Sequence, residues 1–308
     1  MSTITPFTPT TPARAWLESL RPKTLPLAFA SIVMGSAIAS LQGVFHPLIA
    51  LLALLTAGCL QILSNLANDY GDAEKGSDTP DRVGPLRGMQ KGLITAAQMK
   101  RAIILTITLT IICGIALIAV ACHKPSDVVG FVILGLLSIG AAITYTVGTR
   151  PYGYMGLGDI SVLIFFGWIS VAGTFYLQAG YFDWIVMLPA TATGLLSAAV
   201  LNINNLRDIE TDSANGKNTL AVRLGPVNAR RYHAIILTAA VVCLAIFSAV
   251  HLHHWTGWLF ILAMPMLFTH VMRVMNSKTS TDVRPLLEHM VKTALLTNVL
   301  FAAGLLLN

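Results

Sequence analysis

Charge is what this sequence has least of. Asp, Glu, Lys and Arg make up 11% of its 308 residues, against about 25% in a typical soluble globular chain, which excludes an ordinary water-soluble fold. Cysteine is scarce as well: Cys59, Cys113, Cys122 and Cys243 stand singly in or at the ends of apolar runs. That spacing excludes a cysteine metal site or a disulfide framework, and leaves four small hydrophobic packing groups. The Thr- and Pro-rich residues 1–24 hold no short apolar core followed by a cleavage site, so they are expected to be a cytoplasmic tail and not a signal peptide.

What the sequence has instead is apolar residues gathered into nine runs, at 25–42, 46–66, 101–121, 128–147, 158–178, 184–204, 232–252, 255–275 and 288–307. A helix of roughly twenty such residues crosses a hydrocarbon layer of about 30 Å. The runs are continuously apolar and do not alternate, which points to helices and away from a β-barrel. The expected fold class is therefore an all-α polytopic membrane protein of nine transmembrane helices, with residues 25–308 forming a single transmembrane domain.

The positive charges give the orientation. Nineteen of the 20 Lys and Arg residues fall in the tail or in and beside the connections after runs 2, 4, 6 and 8, and Lys124 alone lies on the opposite side. Positive residues are retained in the cytoplasm. The amino terminus is therefore expected inside, the carboxyl terminus in the periplasm, and the protein in a bacterial inner membrane. This asymmetry accounts for the excess positive charge without nucleic acid.

Twelve of the 14 acidic residues share that cytoplasmic side, and five of them form two clusters where runs 2 and 6 end. The first is Asn65-Leu66-Ala67-Asn68-Asp69-Tyr70-Gly71-Asp72, and the second is Asn202-Ile203-Asn204-Asn205-Leu206-Arg207-Asp208-Ile209-Glu210-Thr211-Asp212. Each places an Asn four residues before an Asp, Asn65 to Asp69 and Asn204 to Asp208, which stacks both on one helix face. Asp208 to Asp212 repeats the interval, and Asp69 to Asp72 keeps to the same side. Carboxylates near membrane depth are expensive to desolvate and mark function. A hard divalent cation stabilises such a cluster, and Mg²⁺ typically combines one or two carboxylates with phosphate oxygens. Basic residues follow both clusters, Arg82, Arg87 and Lys91 after the first and Lys217 and Arg223 after the second, placed to hold phosphate oxygens. The cluster His251-Leu252-His253-His254 lies in a short loop on the other face and reads as interfacial polarity.

These two clusters, together with Arg21 to Pro26, Gly84 to Gly92, Thr144 to Asp159 and Asn202 to Gly225, resemble the UbiA superfamily of intramembrane aromatic prenyltransferases along nearly the whole chain. Within it they look like the menaquinone-pathway branch that prenylates 1,4-dihydroxy-2-naphthoate. The resemblance implies a bundle around a central cavity open to the cytoplasmic face. It implies that Asp69, Asp72, Asp208 and Asp212 hold two Mg²⁺ against a polyprenyl diphosphate, with Lys217 and nearby arginines on its oxygens and Asn65, Asn68, Asn204 and Asn205 lining the cavity. Two elements depart from the family pattern. Position 73 is Ala, so the second acid of the first motif comes one residue early at Asp72, and a Tyr-x-x-x-Lys element appears as Tyr145 to Thr149 followed by Arg150.

The reaction so implied moves a polyprenyl group, octaprenyl by resemblance, onto 1,4-dihydroxy-2-naphthoate with loss of CO₂ and pyrophosphate, giving demethylmenaquinol. Asp159, at the start of run 5, is a candidate for orienting or deprotonating the ring hydroxyl, with helix capping as the alternative. Phe165, Phe166 and Trp168 are candidates for lining a prenyl groove open to membrane lipid, or for plain packing. The competing readings are a 4-hydroxybenzoate or protohaem acceptor, and a cation-coupled transporter. Release of pyrophosphate separates the enzyme readings from the transporter.

Overall fold

The computed structural model of the chain describes residues 11–76 and 88–308. Among the described residues there is no strand, and nine helical stretches are long and apolar enough to cross a membrane. The helices are α1 (Pro12–Leu20), α2 (Leu25–Leu41), α3 (Pro47–Glu74), α4 (Ala96–Ala121), α5 (Pro125–Thr144), α6 (Gly158–Val162), α7 (Gly173–Ala179), α8 (Met187–Arg207), α9 (Ile209–Ala214), α10 (Leu220–His251), α11 (Met264–Asn276) and α12 (Ser280–Leu306). A π-helical stretch, Leu163–Ala172, joins α6 to α7 in one span, and a 3₁₀ stretch, Trp255–Ala263, leads into α11.

Local sequence explains where these helices start. Proline stands in the first turn of α2, α3 and α5, where its missing N–H costs no bond. Capping boxes start α4, from Thr95 and Gln98, and α12, from Thr279 and Asp282. The last span therefore begins at Ser280, earlier than hydropathy places it. In α10, Gly225 adopts φ 73° just before Pro226, which kinks the helix near its amino-terminal end.

Residues 12–20, part of the expected tail, form helix α1. Its buried Ala15 joins Leu66, Tyr70, Ile94 and Met99 in a small apolar cluster that seats it on α3 and α4.

α8 is the central helix, with Ala190, Leu196, Ala199 and Ile203 in a core shared with α2, α10 and α12. It approaches the π-helical stretch closely, because a Cβ on Gly167 would lie 2.5 Å from the Ala190 carbonyl oxygen. α5 has no buried residue and lies at the periphery. Polar groups inside the bundle bond across helices, as lipid-embedded packing demands. Thr193 donates to Asn298 over 2.8 Å, and His233, His270 and His289 form a chain with 3.1 Å ring-nitrogen contacts that ends on Asn202.

Candidate active site

The first acidic segment stays helical to Glu74, so Asn65, Asp69 and Asp72 share one face of α3, and all three are buried. Asn65 donates to the Leu20 carbonyl oxygen at 2.9 Å and to Thr24 Oγ1 at 3.1 Å. Arg21 sits between α1 and α2 with left-handed backbone, φ 50° and ψ 61°, a conformation costing a non-glycine residue about 1–2 kcal/mol. This turn accompanies a guanidinium contact of 2.5 Å from Arg21 Nη2 to Asp69 Oδ1. Asp72 accepts from the Tyr154 hydroxyl at 2.6 Å and from Lys217 Nζ at 2.9 Å.

The second segment breaks its helix at the acid. α8 ends at Arg207, Asp208 has φ −98° and ψ 10°, and α9 continues. A 2.7 Å bond from Asp212 N to the Asp208 carbonyl oxygen preserves the four-residue interval across the break. Arg207 grips Asp208 with both Nε, at 2.7 Å, and Nη2, at 2.5 Å, and reaches Asn204 Oδ1 at 2.9 Å. Both partners are buried, a setting in which bidentate pairing offsets the loss of water. Asn205 is buried on the same helix.

The connection between α5 and α6, residues 145–157, links the segments. The Thr146 hydroxyl donates to the Ala67 carbonyl oxygen at 3.1 Å and to Asn68 Oδ1 at 3.0 Å. Gly71 admits this approach, since a Cβ there would meet the Thr146 carbonyl oxygen at 2.7 Å. On the other side, Asn218 N donates to the Tyr154 carbonyl oxygen at 3.0 Å, and Lys217 Nζ stands 4.8 Å over the Tyr154 ring. Tyr145 fills the space beside Gly153 and Gly158. Burial first, then the negative charges of Asp159, Asp72 and Asp212, push its phenol above the usual range, so it stays protonated. Asp159 is buried, and the Tyr232 phenol of α10 lies near enough to interact with it.

Of the residues expected from the sequence, Asp72 and Lys217 are brought into direct contact. Tyr145 stands within electrostatic reach of Asp72, Asp159 and Asp212. Arg82 and Arg87 lie outside the described residues. Lys91 turns to Glu18 on α1, with Nζ 2.6 Å from Oε2, and Arg150 is exposed and makes no ion pair among the described residues. Trp168 lies in the π-helical stretch, its indole N–H donating to Thr191 at 3.0 Å. Sequence reasoning gave no individual role to Arg21, Arg207, Tyr154 or Tyr232. Arg207 adjoins Asp208 and Arg21 opens a segment that carries the resemblance, whereas nothing local marks the two tyrosines.

No three His, Cys, Asp or Glu side chains among the described residues are grouped to hold a metal ion by themselves. The donors presented are carboxylates and amides, which are hard oxygen ligands. That set fits Mg²⁺, which completes its shell with water and phosphate oxygens and needs few protein ligands.

The family model described as the UbiA prenyltransferase family matches residues 28–299. The chain belongs to the UbiA prenyltransferase family. Among its UbiA relatives, the 1,4-dihydroxy-2-naphthoate octaprenyltransferase of Escherichia coli (strain K12) is 65% identical over 295 residues, covering 96% of each chain. The protein of the same name from Haemophilus influenzae is 53% identical over 297 residues, again covering 96% of each. The fold matches a solved UbiA homolog from Aeropyrum pernix K1 in its apo form, with a TM-score of 0.68 at 15% identity over 94% of this chain and 98% of that one. It also matches a UbiA homolog from Archaeoglobus fulgidus bound to DMAPP and Mg²⁺, with a TM-score of 0.62 at 15% identity over 93% and 99%.

Proposed function

We propose that this UbiA-family protein transfers an octaprenyl group from its diphosphate to 1,4-dihydroxy-2-naphthoate, releasing CO₂ and pyrophosphate and forming demethylmenaquinol for menaquinone synthesis. The observation that carries the reading is the convergence of two acidic segments and their basic partners through the Lys217–Asp72 contact. The identity and full-length coverage of the naphthoate octaprenyltransferases support the choice of acceptor and chain. In this reading the protein lies in a bacterial inner membrane with its amino terminus cytoplasmic, its carboxyl terminus periplasmic and the site facing the cytoplasm, as the distribution of Lys and Arg supports.

Asp69, Asp72, Asp208 and Asp212 would hold Mg²⁺, two ions between them. The metal, when bound, supplies positive charge opposite the departing diphosphate. Lys217 and Arg21, already ion-paired to these acids, are placed to meet diphosphate oxygens as negative charge grows on them. Asn65, Asn68, Asn204 and Asn205 would line the cavity around the diphosphate. Tyr145, a phenol kept neutral, shields the reacting carbons from water without competing as a nucleophile. The allylic C–O bond breaks with its electron pair leaving on diphosphate. The ring carbon bearing the carboxylate then bonds to the allylic carbon, and loss of CO₂ returns an electron pair to the ring.

The test is acceptor labelled in its carboxyl carbon, supplied with octaprenyl diphosphate and Mg²⁺. Labelled CO₂, pyrophosphate and prenylated naphthol should appear in equal amounts. Pyrophosphate without labelled CO₂, or turnover only with another phenol, would contradict the acceptor assignment.

A further inference from the structure

The bundle buries a carboxylate with an orphaned oxygen. Asp159 is 4% exposed, and its Oδ1 is a buried oxygen with no hydrogen-bond partner. An orphaned buried acceptor is costly, and native structures seldom keep one without a use. The carboxylate is also approached from outside its own span, because the Tyr232 phenol on α10 lies near enough to interact with it. Next to it stands Tyr145, whose hydroxyl oxygen would lie 2.9 Å from a Cβ on Gly158 and whose phenol also feels Asp72 and Asp212. Asp159, Asp72 and Asp212 thus all lie within electrostatic reach of one aromatic ring. A ligand that satisfies Oδ1 must bring a hydrogen-bond donor, and an aromatic hydroxyl does so while its ring lies near Tyr145.

We propose that Asp159 Oδ1 receives the acceptor's ring hydroxyl next to the attacked carbon, and that Tyr232 is the positioning residue that aims this carboxylate. The inference rests on the prenyl-transfer reading and adds the acceptor-binding contact to it. The hydroxyl O–H bond breaks and the proton passes to Oδ1, while the electron pair stays with the ring and raises the electron density of the carbon that bears the carboxylate. That carbon bonds to the allylic carbon, CO₂ departs leaving its bonding pair in the ring, and Asp159 returns the proton to the ring oxygen. The carboxylate ends as it began.

The experiment measures steady-state kinetics of the purified full chain with octaprenyl diphosphate, Mg²⁺ and 1,4-dihydroxy-2-naphthoate, using Tyr232→Phe, Asp159→Asn and the double variant. Tyr232→Phe should raise KM for the naphthoate about tenfold and leave KM for the prenyl diphosphate unchanged. Asp159→Asn should lower kcat by about 100-fold or more. The double variant should be no worse than Asp159→Asn alone, because a residue acting only through Asp159 has nothing left to aim. As a check independent of variant folding, 1,4-dimethoxy-2-naphthoate, which lacks the hydroxyl hydrogens, should compete with the naphthoate at least about tenfold less well than 1,4-dihydroxy-2-naphthoate binds. Unchanged naphthoate KM in Tyr232→Phe, multiplying losses in the double variant, or equal competition by the dimethoxy compound would overturn the inference while the prenyl-transfer reading stands. Wild-type protein that turns over no naphthoate would remove both.

Discussion

Lys217 Nζ lies 2.9 Å from Asp72 Oδ1, a contact that spans 145 positions of sequence and joins the end of the second acidic segment to the first. The ammonium also stands over the Tyr154 ring, and the Tyr154 hydroxyl donates to the same carboxylate oxygen. One lysine is thus fixed at a point where both segments and the α5–α6 connection meet. A charge-assisted bond contributes about 1.5–3 kcal/mol, and about 1.4 kcal/mol is a factor of ten in rate. Lys217→Met should therefore lower kcat/KM for the prenyl diphosphate by about tenfold to a hundredfold, with Lys217→Arg in between, read from initial rates of pyrophosphate release.

Arg21 is predicted to matter for stability as well as turnover. Its guanidinium is 27% exposed, whereas the Asp69 carboxylate it contacts is 1% exposed. Breaking such a pair costs about 3–5 kcal/mol when both sides are fully buried and less where one side is wet. Arg21→Gln should lower both the thermal unfolding midpoint in detergent and the rate, and Arg21→Lys should recover part of each.

The helices and the acidic segments were legible in the sequence for a physical reason. Apolar runs and i, i+4 spacing are local properties, and Asn65, Asp69 and Asp72 on α3 realise theirs without help from other helices. Distant partners leave no such trace. Lys91 is basic and close in sequence to the first segment, yet the fold turns it to Glu18 on α1. Tyr232 lies between Arg231 and His233 on α10 with no spacing that links it to Asp159, and only the fold brings the two near each other. Helix α1 escaped hydropathy because it is short and amphipathic, and it gains its apolar cover from α3 and α4.

Gly71→Ala separates helix propensity from packing. Alanine favours a helix interior by about 1 kcal/mol over glycine, but the new Cβ would lie 2.7 Å from the Thr146 carbonyl oxygen. Overpacking against backbone typically costs about 1–3 kcal/mol. The clash should win, moving the α5–α6 connection away from Asn68 and Asp72. A fall in kcat of about tenfold or more with expression retained is the expected outcome, and wild-type kcat would show that the connection does not need this approach.

The buried histidine chain should contribute stability alone. His270 contacts His233 and His289 at 3.1 Å each, on the side of α8 that bears Asn202. His270→Ala leaves the buried His233 Nε2 without its partner, at about 1–3 kcal/mol. A lower thermal midpoint with unchanged substrate KM values should follow, as measured on the detergent-purified variant.

The most direct test of the central claim is pyrophosphate release and lipid product formation by the purified wild-type chain, given octaprenyl diphosphate and 1,4-dihydroxy-2-naphthoate with Mg²⁺ or with EDTA. Prenylated naphthol and pyrophosphate are expected with Mg²⁺, neither with EDTA, and both again when Mg²⁺ is restored. Equal turnover in EDTA would contradict a site in which Asp69, Asp72, Asp208 and Asp212 act through a bound divalent cation.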